Sequence, residues 1–241
     1  MRALLAALAF LAGPALAQDA ACRDVGFEGV PYTVCTAPPG ADVRLFLDGP
    51  DGRLGGFGRV EEMLAERGER LVFAMNAGMY HPDRSPVGLY VEDGAQAMRL
   101  VESAGPGNFG MLPNGVLCLG ARFAVLTTQA YAAAPPDCAH ATQSGPMLVI
   151  DGALHPRFIE GSDSLNVRNG AGVAPDGTLH LAISRRPVNF HDFARFFRDG
   201  LGTPDALYLD GRVSRLWAPE LGRRDVGLPI GPMVGLVVPA G

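Results

Sequence analysis

The chain of 241 residues contains no lysine; every one of its 20 basic residues is arginine. Schiff-base catalysis, a lysine general base and the phosphate-loop lysine are thereby excluded, while bidentate arginine contacts to phosphate or carboxylate remain available. Basic or aromatic-interleaved runs are also missing. With a net charge of −5 at pH 7, no nucleic-acid partner is expected, and a small-molecule or glycan ligand fits better. Cys-x-x-Cys is absent and the five histidines are scattered, so the usual zinc-ligand spacings are not found. Beyond the first residues, apolar runs are brief and broken by Gly or Pro, and no membrane span is expected.

What is present begins with Arg2, an apolar stretch of Leu, Ala and Phe, and Ala15-Leu16-Ala17 before Gln18. This pattern predicts a signal peptide over residues 1–17, removed to leave one exported domain over 18–241, periplasmic or secreted. Cys22, Cys35, Cys118 and Cys138 are an even number suited to an oxidising compartment. Three connectivities are open. Cys22 with Cys35 and Cys118 with Cys138 would each close a short local loop.

With 32 glycines, 20 prolines and apolar runs of four to six residues, the chain reads as many short strands joined by turns. Strands are expected at 32–36, 43–47, 71–75, 89–92, 116–119, 147–150, 179–183 and 206–209. Asp151-Gly152 should close a hairpin. Helical spacing appears over Arg59 to Arg67, with Val60, Met63 and Leu64 on one face. It recurs after Asn189, where Asp192 completes a capping-box-like pair and Phe190, Phe193, Ala194 and Phe197 form a core-facing stripe. Ala130 to Cys138 reads as a surface loop. The expected class is α+β, a single strand-rich domain with a mixed sheet and a few packed helices.

Chemistry concentrates in four tracts where a polar residue and a glycine end a hydrophobic run: Phe73–Tyr80, Thr142–Met147, Asn166–Gly170 and Ala206–Gly211. Asp210 and Arg168 are the candidate catalytic pair, a carboxylate and a fixed cation. Asn76, Gln143, Ser144 and Asn169 are candidate ligand contacts, and Gly78, Gly145 and Gly211 permit close backbone approach. Each also has a plain structural reading. Asp before Gly accepts turn amides, an arginine can serve a surface ion pair, and amides and hydroxyls cap local turns. Ser144 lacks the Gly-x-Ser-x-Gly elbow of a hydrolase nucleophile. His81 and His191 carry no motif of their own.

In order along the chain, Asn76-Ala-Gly-Met-Tyr80, Gly88-Leu-Tyr90, Gly107-Asn-Phe-Gly110, Pro113-Asn-Gly115, Gln143-Ser-Gly-Pro-Met147, Arg168-Asn-Gly170, Val188–Phe193, Leu209-Asp-Gly211 with Ser214, and Gly231-Pro-Met233 resemble the phosphodiester glycosidase family. This is the family of the lysosomal uncovering enzyme, and its bacterial exported members are the nearest match. The resemblance spans roughly residues 70 to 238. It implies hydrolysis of a sugar 1-phosphodiester, with a cell-envelope or polysaccharide phosphodiester as the bacterial substrate. Arg212 departs from the pattern, because family members usually carry a small residue there.

Such a reaction develops positive charge on the sugar and negative charge on the phosphate, which suits Asp210 as nucleophile or base and Arg168 gripping two phosphate oxygens through its planar fork. A phosphate leaving group is already acidic and needs little general-acid help. No cofactor is expected, although calcium or magnesium bridging oxygen ligands stays open. Two other classes share these features. One is a non-catalytic glycan-binding module, and the other an assembly factor for a polysaccharide exporter, which requires a protein partner.

Overall fold

The computed structural model describes residues 21–241; the signal peptide expected over 1–17 lies outside the described residues. The domain is α+β, as its short apolar runs suggested. The strands divide among several sheets, and every named pair is antiparallel where a mixed sheet was expected.

The largest sheet has seven strands: β1 (Cys22–Phe27), β2 (Val30–Ala37), β15 (Leu179–Ser184), β14 (Asn169–Val173), β16 (Asp205–Asp210), β12 (Met147–Ile150) and β13 (Ala153–Leu154), in that spatial order. A second sheet orders β18 (Arg223–Arg224), β17 (Leu216–Ala218), β6 (Glu69–Asn76), β19 (Met233–Pro239) and β3 (Val43–Phe46). The third orders β10 (Ala124–Thr127), β9 (Gly115–Leu119), β11 (His140–Ser144), β7 (Tyr90–Glu92) and β8 (Ala95–Met98). A short ribbon pairs β4 (Asp48–Gly49) with β5 (Gly52–Arg53). At the hairpin between β12 and β13, Asp151 and Gly152 both take positive φ, as a two-residue turn of this type demands.

Alternation along the strands decides the layers. Leu207 and Leu209 of β16 enter a central core with Phe73 and Met75 of β6 and Leu117 and Leu119 of β9, so the inner faces of all three sheets meet there. Ala206 and Tyr208 face the other way, into an aromatic layer under α3 (Phe190–Arg195). Asn189 caps that helix by accepting the Asp192 amide at 2.8 Å, the predicted start signal. Phe193, Phe196 and Phe197 are fully buried, and truncating one to Ala would cost about 3–5 kcal/mol. Helix α1 (Phe57–Ala65) covers the outer face of the second sheet with Phe57, Val60 and Leu64. It begins two residues before the predicted Arg59 because extended Gly56 starts the turn.

Both local cysteine pairs form, Cys22–Cys35 and Cys118–Cys138, and the first joins directly opposed residues of β1 and β2. The segment read as a loop from Ala130 is helical in its first part, as α2 (Thr128–Ala133). Thr127 provides the cap, its side-chain oxygen accepting the Ala130 amide.

Candidate active site

Three strand ends meet at one place. Strand β6 ends at Asn76, β14 starts at Asn169 and β16 ends at Asp210; Asn169 lies opposite Asp210 in the seven-stranded sheet. Side chains join this sheet to the second one. The Asn169 amide donates to the Asn76 carbonyl at 2.7 Å, and the Asn76 side-chain oxygen accepts the Arg215 backbone amide at 2.8 Å. The Arg215 bond fixes which end of the Asn76 side chain carries its NH2 group, and that group donates to Asp210 Oδ2 at 3.3 Å.

Asp210 is 8 % exposed. Its Oδ1 accepts the backbone amides of Gly211 at 2.6 Å and Arg212 at 2.9 Å. Burial raises the carboxyl above the ordinary aspartate range, and the turn amides of Arg212, Gly211 and Val213 oppose the shift. The two oxygens therefore differ. Oδ1 is anchored by two short bonds, and Oδ2 accepts a single long one. Ser214 Oγ lies 2.9 Å from the Asp210 carbonyl and 3.0 Å from the Val167 carbonyl, holding the turn after β16 against the entry to β14.

Arg168 is wholly buried and has no carboxylate partner among the described residues. Its Nε donates to the Val188 carbonyl at 2.9 Å and its Nη2 to the Ser164 carbonyl at 2.8 Å. Its guanidinium carbon stands 3.7 Å from the Phe190 ring centroid, and Nη1 lies 3.4 Å from the Tyr208 hydroxyl. Burial pulls its pKa down, yet a guanidinium stays charged. A free arginine fork open to phosphate was expected. The structure instead turns two of its edges to backbone carbonyls and leaves Nη1 next to Tyr208.

The sequence reading missed Tyr208. It sits two residues before Asp210 on the same strand face, a placement that strand alternation alone supplies. Its hydroxyl lies between Arg168 and the Asn108 side chain, and a Cβ on Gly211 would overlap it, so Gly211 is required for this contact. Tyr80, which ends the first tract, is half-buried against Gly231 and feels the Asp210 charge.

Gln143 needs a correction. Its side-chain oxygen accepts the amides of Leu89 (3.1 Å) and Val101 (3.0 Å), and its nitrogen donates to the Val101 carbonyl (2.7 Å) and Thr128 Oγ1 (3.0 Å). All four positions of the amide are used. Gln143 is a clamp on the third sheet and offers a substrate nothing. Ser144 is also fully buried and donates to the Leu209 carbonyl at 3.0 Å, supporting β16 from behind. Gly78, at φ +78, lets the loop after Asn76 pass Thr142, and Gly145 lets β11 pass Asn114 without clash. Of the candidate polar side chains Asn76, Gln143, Ser144, Arg168, Asn169 and Asp210, all buried, Asp210 is the most exposed. Among the described residues, no three His, Cys, Asp or Glu side chains gather in a metal-binding group.

The profile of the phosphodiester glycosidase family matches residues 69–225, which include Asn76, Arg168, Asn169 and Asp210. The Escherichia coli K12 protein YigE, itself uncharacterized, is 31% identical over 204 residues, 83% of this chain and 78% of that protein. Among solved structures, the fold is similar to the catalytic domain of zebrafish N-acetylglucosamine-1-phosphodiester alpha-N-acetylglucosaminidase, auto-inhibited by its pro-peptide. That likeness has a TM-score of 0.60 at 15% identity and covers 89% of this chain and 81% of that one. A hypothetical protein from Synechocystis gives 0.59 at 14% identity over 90% and 61% of the two chains. By the match of its profile and of its curated relative, this chain belongs to the phosphodiester glycosidase family.

Proposed function

We propose that the protein is an exported hydrolase that cleaves a sugar 1-phosphodiester between the anomeric carbon and the phosphate oxygen. The observation that carries this reading is the Asp210 carboxylate, desolvated at the end of β16 with Oδ1 anchored by two short bonds and Oδ2 held by one long bond from Asn76. Water removal makes Oδ2 a stronger nucleophile or base, and the anchoring of Oδ1 fixes its direction. Oδ2 attacks the anomeric carbon or takes a proton from the water that does. Either role requires the ionised form.

The leaving phosphate carries its own charge and departs without a strong acid. The buried guanidinium of Arg168, with Tyr208 next to it, supplies positive potential in a low-dielectric setting, where it stabilises charge developing on the phosphate. Two disulfides support export, since such bonds persist in oxidising compartments. The test is incubation of the disulfide-bonded protein with a panel of sugar 1-phosphodiesters, with released sugar as the readout. Turnover supports the hydrolase. Glycan binding without turnover across the panel would replace it with a binding module.

A further inference from the structure

A cleft lined by none of the candidate site residues named above is not used by the chemistry above. It has a volume of about 680 Å³ and runs between the start of α1 and the loop at Pro82–Arg84, with Pro229 on its far wall. The loop at 82–84 follows Tyr80, and the Arg84 guanidinium stands 5.9 Å from the Tyr80 ring centroid. Tyr80 in turn lies within reach of the Asp210 charge, so Arg84 connects one wall of the cleft to the Asp210 end of the fold through a single side chain.

Its walls carry three arginines and two carboxylates. Arg53, Arg59 and Arg84 all line it. Elsewhere, arginines such as Arg44, Arg185, Arg195 and Arg223 are neutralised by carboxylates at 2.5–2.7 Å. Arg59 and Arg84 have no such partner among the described residues. They are steadied by backbone carbonyls instead, Arg59 by that of Arg53 at 3.1 Å and Arg84 by those of Pro229 at 2.8 Å and of Pro82. Glu62 and Asp83 also border the cleft, but neither forms an ion pair with these arginines.

Two further observations agree. Arg53 Nη1 has no hydrogen-bond partner among the described residues, while Arg53 Nε reaches Asp48 at 3.3 Å. Helix α1 also opens on Gly56-Phe57-Gly58 with no side-chain cap and no acidic residue in its first turn. Its free amides and positive dipole end are therefore matched by no side chain among the described residues.

We propose that this cleft is a second anion subsite, which takes a phosphate or carboxylate group on the aglycone beyond the scissile phosphodiester. Its placement on the aglycone rests on the hydrolase reading, while anion binding in the cleft does not. The preferred substrate is then a phosphodiester whose leaving part carries at least one more negative group.

Calorimetric titration with inorganic pyrophosphate tests the site directly, using the wild type, Asp210→Asn and the double variant Arg59→Gln/Arg84→Gln. The wild type and Asp210→Asn should bind alike, and the double variant should bind about ten- to a hundredfold more weakly, as loss of charge-assisted hydrogen bonds dictates. A Lys/Lys double variant, which keeps both charges, should fall between them and shows that the loss is not misfolding. No binding by the wild type, or equal binding by the Gln double variant, would overturn the subsite. Where phosphodiesters are turned over, KM for an anionic aglycone should rise in the Gln double variant while KM for an uncharged alkyl aglycone stays unchanged. Equal KM shifts for the two would overturn the aglycone placement. Pyrophosphate binding with no turnover on any phosphodiester would remove the hydrolase and leave the anion subsite standing.

Discussion

The Asn76 side-chain amide donates to Asp210 Oδ2 across 3.3 Å, linking residues 134 positions apart in two different sheets. Because Asn76 cannot ionise, it orients the carboxylate without adding charge. Burial already raises Asp210, so the acid limb of kcat/KM should lie above the ordinary aspartate value of about 3.9. Asn76→Asp places a second carboxylate against the first and should move that limb further up, because like charges disfavour ionisation. A pH–rate profile with an unmoved acid limb in a folded Asn76→Asp protein would separate Asp210 from the titration.

Gln143 should matter for stability and little for catalysis. Replacing it by Leu leaves the amides of Leu89 and Val101, the Val101 carbonyl and the Thr128 hydroxyl without the partners they have now. The expected loss is on the order of 3 kcal/mol, read by urea denaturation. Below the melting range, the kcat of Gln143→Leu should stay near that of the wild type.

Glu92, on β7, sits half-buried with the Tyr90 hydroxyl donating to it at 2.6 Å, and burial pushes it up to about 7. The folded state therefore keeps a proton that the unfolded chain releases near pH 4.3, and the folded state binds more protons in between. Stability should fall as pH rises from about 4.3 through about 7 and then level off. Glu92→Gln should flatten that slope and gain on the order of 1–2 kcal/mol at about pH 8, after discounting for solvent access. A slope unchanged by the substitution would assign it to another group.

Arg168 tests the proposed electrostatic stabilisation of the phosphate. Arg168→Lys keeps a charge but loses the planar contact with Phe190 and the bonds to Ser164 and Val188. Its kcat on phosphodiesters should drop about 10²–10³-fold, the scale of a lost electrostatic stabiliser, with a smaller change in KM. Unchanged kinetics in a folded variant would leave Arg168 as packing alone.

The eight expected strands were legible in the sequence, as were the Asp151-Gly152 turn and the Asn189 cap, because each depends on local chemistry; the aliphatic strands β10 and β19 were not among them. Strand β14 was not legible. Its Asn-Gly-Ala-Gly sequence has little strand character, and its glycines are explained only by distant neighbours: a Cβ on Gly172 would strike Phe197 and Thr203, and one on Gly170 the Leu207 carbonyl. The buried polar strand β11 was hidden for a related reason, since the clamp that makes Gln143 acceptable in a core involves residues from three other segments. At the site, the tracts located the strand ends. Which side chain faces outward was beyond their reach, because Asn76 and Asn169 are turned inward by contacts between sheets. The same limit applies to Arg168, whose fork is occupied by carbonyls of a loop and a helix entry that no spacing brings together.

The central claim is that Asp210 Oδ2, ionised and desolvated, performs the reaction, and Asp210→Asn tests it most directly. The Asn oxygen can keep the amides of Gly211 and Arg212, while its NH2 group faces the Asn76 NH2 group and loses that 3.3 Å bond. Removing a buried charge offsets this loss, so the melting temperature should stay close to that of the wild type. Sugar release from a 1-phosphodiester accepted by the wild type should fall by about 10³-fold or more. A folded Asp210→Asn protein that releases sugar at the wild-type rate would contradict the account.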